Sequence, residues 1–164
     1  MALNTWQQHR IARLVVEKLF GTVTGKRLAV LGFAFKADTN DTREAPAIRI
    51  CRDLLEEGAQ LAIHDPKVAP EQIARDLQLE AMPQTDALSG TGSWAMAEGI
   101  EQAVAGADAV LILTEWTPYR SLNWADLASR MRKPAWLFDA RAVADPTQVK
   151  AAGLSLWRVG DGEA

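Results

Sequence analysis

The hydrophobic positions of this chain follow two rhythms, one helical and one strand-like, that take turns from end to end. Ile11, Leu14, Val15 and Leu19 recur at helical spacing, with Val16 and Phe20 widening the face, and predict a helix over residues 5–20. Asn4 or Thr5 suits its N-cap. Residues 21–26 break the pattern, and the apolar run 28–31 reads as a strand ending at Gly32. A helix is expected over 46–57, with Pro46 in its first turn and Gly58 at its end. A short strand at 61–64 stops at Asp65-Pro66, and a helical stretch covers 70–77. Residues 78–93 hold no clear period, and helical character returns over 96–105. The unbroken apolar run 109–113 is the pattern of a strand buried on both faces. A helix at 122–131, a strand at 135–138, a short helix at 146–151 and a strand at 154–157 complete the chain. Strands alternating with helices define an α/β fold built on a doubly wound, mostly parallel sheet. The first helix is extra to that unit and suits an interface or a neighbouring domain.

Composition narrows the function more than the fold. The 164 residues suffice for one domain with a real core, at 48% hydrophobic and 24% charged. A net charge of −3 argues against a general nucleic-acid binder, which presents a basic face. No apolar run approaches the roughly 18 residues that span a bilayer, so no membrane partner is expected. The opening MALNTWQQHR has no apolar signal core, and a single cysteine fits a reducing compartment, so a cytoplasmic location is expected.

The candidate chemistry sits at strand ends. Gly32 opens a polar loop with Lys36 and Arg43 seven residues apart, flanked by Asp38, Asp41 and Glu44. Ala34 and Ala37 stand where a G-x-G-x-x-G loop needs glycine, so this is no dinucleotide fingerprint. Two cations there favour an anion held through side chains. Arg141, after Phe138-Asp139-Ala140 at another strand end, extends the set, and the three cations are expected to share one crevice. Thr114, Glu115 and Trp116 close a strand on the same edge; Trp116 reads equally as pocket wall or core plug. Asp65 occupies the place of a ribose-binding acid, yet before Pro66 it reads better as a turn former. Cys51 lies on a helical stripe with Ala47, Ile48, Leu54 and Leu55, the setting of an inert packing thiol rather than a nucleophile. His9 and His64 are isolated from other ligand types, and no metal site is expected.

Together these residues resemble the UDP-glucose/GDP-mannose dehydrogenase family in its C-terminal, UDP-sugar-binding part. The likeness rests on LAVLGFAFKADTNDTREAPA, IHDP, GADAVLILTEW and LFDAR, and on Asn4-x-x-Gln7-x-x-Arg10 in the opening helix. It covers nearly the whole chain, weakest over 78–96, and the motifs lie closer to the UDP-glucose branch than to the GDP-mannose one. The resemblance implies a Rossmann-like nucleotide-sugar domain over 25–164, preceded over 1–24 by the end of a central dimerisation helix. It implies an NAD-dependent oxidation of the sugar C6 hydroxyl to a carboxylate by two hydride transfers, through a cysteine thiohemiacetal and thioester. The glycine-rich NAD domain and that cysteine are upstream in the family, so this chain by itself is expected to be inactive. Phe35, Lys36 and Arg141 are then substrate-binding, and Arg43 faces NAD. A homodimer through the first helix follows as well. Ala45 replaces a serine often seen before the proline, and Ala142 an asparagine frequent in bacterial members. Alternatives are a stand-alone nucleotide-sugar-binding or regulatory module, and the same domain of a GDP-mannose or UDP-N-acetylmannosamine dehydrogenase. A self-sufficient NAD enzyme of other chemistry is the weakest, because neither fingerprint nor activated nucleophile is visible.

Overall fold

The computed structural model describes residues 5–81 and 92–159. Helix α1 (Thr5–Lys18) leads to strand β1 (Arg27–Leu31), α2 (Pro46–Glu56), β2 (Gln60–His64) and α3 (Pro70–Leu77). There follow β3 (Ser93–Met96), α4 (Ile100–Val104), β4 (Ala109–Ile112) and a 3-10 turn over Thr117–Ser121. The chain closes with α5 (Trp124–Ser129), β5 (Trp136–Asp139), α6 (Pro146–Ala151) and β6 (Ser155–Arg158). Among the described residues the sheet has six strands in the order β3-β2-β1-β4-β5-β6, and every pairing is parallel. The chain therefore starts at the centre, winds outward through β2 and β3, and returns to the other side of β1. That reversal opens a crevice at the carboxyl ends of β1 and β4, where sheets of this kind take their ligands. The expected doubly wound sheet is present.

The inner strands are apolar because helices cover both of their faces. Leu28 to Leu31 and Ala109 to Ile112 are all wholly buried. Helix α2 begins at Pro46 and ends as its glycine implied. Gly58 sits at φ +88, its N–H bonds Leu55 O at 3.0 Å, and Ala59 N–H bonds Leu54 O at 3.1 Å. This pair of bonds is the Schellman closure that glycine makes cheap.

Helix α1 packs on α2. Ile11, Leu14, Val15 and Leu19 are buried there, and His9 Nδ1 lies 2.6 Å from Asp53 Oδ2 across the contact. Most of the apolar face read from the sequence is thus satisfied inside the chain. Val16 stays half-buried in a groove between the two helices, and Phe20, past the helix end, is 76% exposed. Asn4, one of the two candidate N-caps, lies outside the described residues.

The chief departure is β3. Residues 93–96 pair with β2 in register Gln60↔Ser93 to Ile63↔Met96, where the sequence showed first no period and then a helix. The helix in that region is confined to α4, after Gly99. Four residues are too few to display an alternation. The strand forms because the edge of β2 would otherwise leave its ladder groups unpaired. Trp94, 1% exposed, pins it, donating its indole N–H to Leu79 O at 2.8 Å.

Candidate functional site

The loop after β1 is built on a close backbone approach. Gly32 has φ +98, and a Cβ there would lie 2.4 Å from Thr114 Cβ at the end of β4, so only glycine fits. Thr114, wholly buried, donates its hydroxyl to Ala34 O at 2.7 Å. Asp65, 6% exposed, grips the loop from β2. Its Oδ2 accepts from Phe33 N, Ala34 N and Trp116 Nε1, and its Oδ1 from Lys67 N and Val68 N, all within 3.1 Å. Asp65 is therefore a turn former, as read, and also the clasp joining the ends of β1, β2 and β4. With five donors on one carboxylate, it has little left for a ribose. Trp116, 4% exposed, belongs to that clasp and to the core.

Beyond the clasp the loop folds on itself. Phe35 N–H bonds Asp41 O at 2.8 Å, and the Asp41 carboxylate takes Arg43 through its backbone N–H, Nε and Nη2 at 2.9, 3.1 and 2.9 Å. The Arg43 side-chain hydrogen bond, then its backbone N–H, hold the Asp41 carboxyl down at about 2, with the charge of Lys36 adding to the effect. The Arg43 side chain is nonetheless 88% exposed. Lys36 is exposed and Phe35 half-buried. Thr42 Oγ1 donates to Asp76 at 2.6 Å, tying the loop to α3. Ala45 starts α2 with no side-chain cap, as its missing oxygen implied. An open cleft of about 400 Å³ beside the loop is lined by Asp38, Thr39, Asn40 and Lys67, a cation the sequence reading did not single out.

Arg141 is set by β5. Asp139, wholly buried, accepts from Arg141 N at 3.1 Å and Ala144 N at 2.8 Å, repeating at this strand end what Asp65 does at β2. Ala142 is forced to φ +57, a left-handed conformation in which asparagine is better tolerated than alanine. The Arg141 side chain is 15% exposed, and its Nη2 lies 2.8 Å from Glu115 Oε1. The three expected cations thus stand at strand carboxyl ends in different states: Lys36 in solvent, Arg43 bridged to Asp41, Arg141 half-sheltered against Glu115. The Arg141–Glu115 pairing was missed because it depends on register. Ile112 stands opposite Asp139, which puts the residues that follow β4 beside those that follow β5.

Cys51 is wholly buried and burial drives its thiol pKa far up, so packing is its role. His9 serves the α1–α2 contact. His64 meets Tyr119, whose hydroxyl donates to His64 O at 3.1 Å and so accepts from Nδ1 at 2.8 Å; burial lowers its pKa. Among the described residues no three His, Cys, Asp or Glu side chains gather as metal ligands, and no helix is long and apolar enough to cross a membrane.

A 3-2-1-4-5-6 parallel sheet with cations and a glycine-mediated turn at its carboxyl edge is a nucleotide-binding α/β domain. Residues 29–146 match the UDP-glucose/GDP-mannose dehydrogenase family, UDP binding domain, and the chain belongs to that family. UDP-glucose 6-dehydrogenase 2 of Oryza sativa subsp. japonica is 41% identical over 169 residues, covering 96% of this chain and 34% of the relative. The chain spans about a third of the length of the curated relatives it matches. A UDP-glucose dehydrogenase from Pyrobaculum islandicum superposes with TM-score 0.65 at 25% identity, over 93% of this chain and 29% of that one. An NDP-N-acetyl-D-galactosaminuronic acid dehydrogenase from Methanosarcina mazei, at 23% identity, shares the fold with TM-score 0.70 over 94% of this chain and 28% of its own.

Proposed function

We propose that this chain is the UDP-sugar-binding domain of an NAD-dependent UDP-glucose 6-dehydrogenase that converts UDP-glucose to UDP-glucuronate. The observation that carries the reading is the family match over residues 29–146, which includes the β1 loop with Lys36 and the β5 end with Arg141. Phe35 and Lys36 hold the UDP-sugar from one side and Arg141 from the other. Lys36 supplies a mobile point charge, whereas Arg141 offers a planar fork to phosphate oxygens. Asp65 fixes the loop just ahead of Phe35, Asp41 O takes the Phe35 N–H, and Asp139 fixes the Arg141 backbone, so these parts of the site are held before ligand arrives.

NAD does not fit the β1 loop of this chain. Phe33 N and Ala34 N, the amides that a dinucleotide cradle would turn to pyrophosphate, both bond Asp65. No step of the oxidation is therefore assigned to these residues. Arg43, whose side chain is exposed, serves the NAD held by another domain. In the longer protein residues 1–24 end a central helix that pairs with a second copy, and the enzyme works in the cytoplasm.

Calorimetric titration of UDP tests the assignment. Lys36→Ala is expected to lose about 1.5–3 kcal/mol of binding, the scale of a hydrogen bond to a charged group. Arg141→Lys weakens UDP as well, because an ammonium cannot reproduce the fork. Arg43→Ala leaves UDP affinity nearly unchanged. Equal losses for Arg43→Ala and Lys36→Ala, with none for Arg141→Lys, would overturn the division of the crevice.

A further inference from the structure

We propose that Glu115 is the internal occupant of the Arg141 anion site, displaced when a nucleoside diphosphate binds, and that it thereby sets the affinity threshold of the site. The inference rests on the reading of Arg141 as a UDP-sugar contact. Arg141 and Glu115 are 15% and 27% exposed, and the carboxylate oxygen Oε1 lies 2.8 Å from Nη2. That oxygen is fully buried, yet its approach is off hydrogen-bond geometry and it has no hydrogen-bond partner among the described residues. The two neighbouring strand-end carboxylates differ in kind. Asp65 and Asp139 accept backbone N–H groups on both oxygens and are part of the scaffold. The Oε1 of Glu115 is held by charge alone.

A buried acceptor without a hydrogen bond is costly, and a charge pair with poor geometry recovers little of that cost. A diphosphate brings more charge and accepts two parallel N–H bonds from one guanidinium, bonds that Glu115 Oε1 does not make where it lies, so it outcompetes this carboxylate. The two anions exclude each other, because both cannot sit against one cation without repulsion. The backbone beneath does not have to move. Arg141 N is fixed by Asp139, and Ala142 O accepts from Arg158 Nη2 at 3.3 Å. The exchange is confined to two side chains, and the exposed part of Glu115 gives it a way into solvent.

The experiment titrates UDP into the 164-residue chain, Glu115→Gln and the double variant Glu115→Gln/Arg141→Gln. Glu115→Gln is expected to bind UDP roughly three- to tenfold tighter, the yield of removing a partly sheltered competing ion pair. Without UDP its Tm falls, since Arg141 is left uncompensated, and saturating UDP restores it. The double variant loses the gain. A merely structural Glu115 predicts weaker binding in every variant. If the unsubstituted chain binds UDP and Glu115→Gln binds no tighter, the inference is overturned and the domain reading stands. If neither binds UDP, the domain reading fails and the inference with it. Should Glu115→Gln not fold, Glu115→Asp, with its carboxylate drawn back from Arg141, must bind UDP tighter than the unsubstituted chain; equal or weaker binding overturns the inference.

Discussion

Two aspartates at strand ends organise the functional edge of this molecule. Asp65 converts one carboxylate into five hydrogen bonds that reach the loop after β1, the turn after β2 and the indole of Trp116. Asp65→Asn keeps the shape and loses one accepting atom, so two or three buried donors then face an amide NH2. The expected loss is about 2–4 kcal/mol, from penalties of about 1–3 kcal/mol per stranded group. Urea denaturation measures it, and a loss under about 1 kcal/mol would show that the donors find other acceptors. Part of this was legible: an Asp-Pro after a strand predicts a turn. The clasp was not, because Phe33, Ala34 and Trp116 are brought to Asp65 only by strand pairing.

At the scale of elements, the helices and inner strands follow from periodicity, proline and glycine, while the edge strand does not. Residues 93–96 carry no strand pattern and are recruited by the free edge of β2. Helix α1 is the reverse case, since its apolar stripe was plain and its partner was not. The stripe is used on α2, with Ile11, Val15 and Leu19 buried, and among the described side chains Val16 and Phe20, beyond the helix end, are the apolar groups left for another copy. The dimer proposal therefore makes a narrow prediction. The chain sediments as a dimer at high concentration, and Val16→Asp shifts it toward monomer without changing its far-UV circular dichroism. A chain that stays monomeric at every concentration removes α1 as a sufficient dimer contact.

For the whole molecule the decisive fact is which chemistry it does not carry within the described residues. Its single cysteine is wholly buried on α2 with its pKa driven far up by desolvation, so no thiolate is available to hold a sugar carbon. The β1 loop has its first amides tied to Asp65 and offers no dinucleotide cradle. UDP-glucose and NAD added to this chain are expected to yield no NADH, and iodoacetamide is expected to label Cys51 only as the protein unfolds. Turnover that disappears in Cys51→Ser would mean the thiol is reachable and would reverse both conclusions.

The sequence by itself determined the alternation of strands and helices, the parallel sheet, the closure of α2 at Gly58 and the family to which the motifs belong. These depend on local physics: hydrophobic period, the fixed φ of proline, the freedom of glycine, and short runs of residues adjacent in the chain. Tertiary structure alone decided that Asp65 clasps three strand ends, that residues 93–96 become a strand, and that Glu115 lies against Arg141. Each of those outcomes depends on which residues stand opposite one another across the sheet. Register joins residues far apart in the chain, and although each strand's apolar pattern restricts it, which residues meet is fixed only when the strands pair.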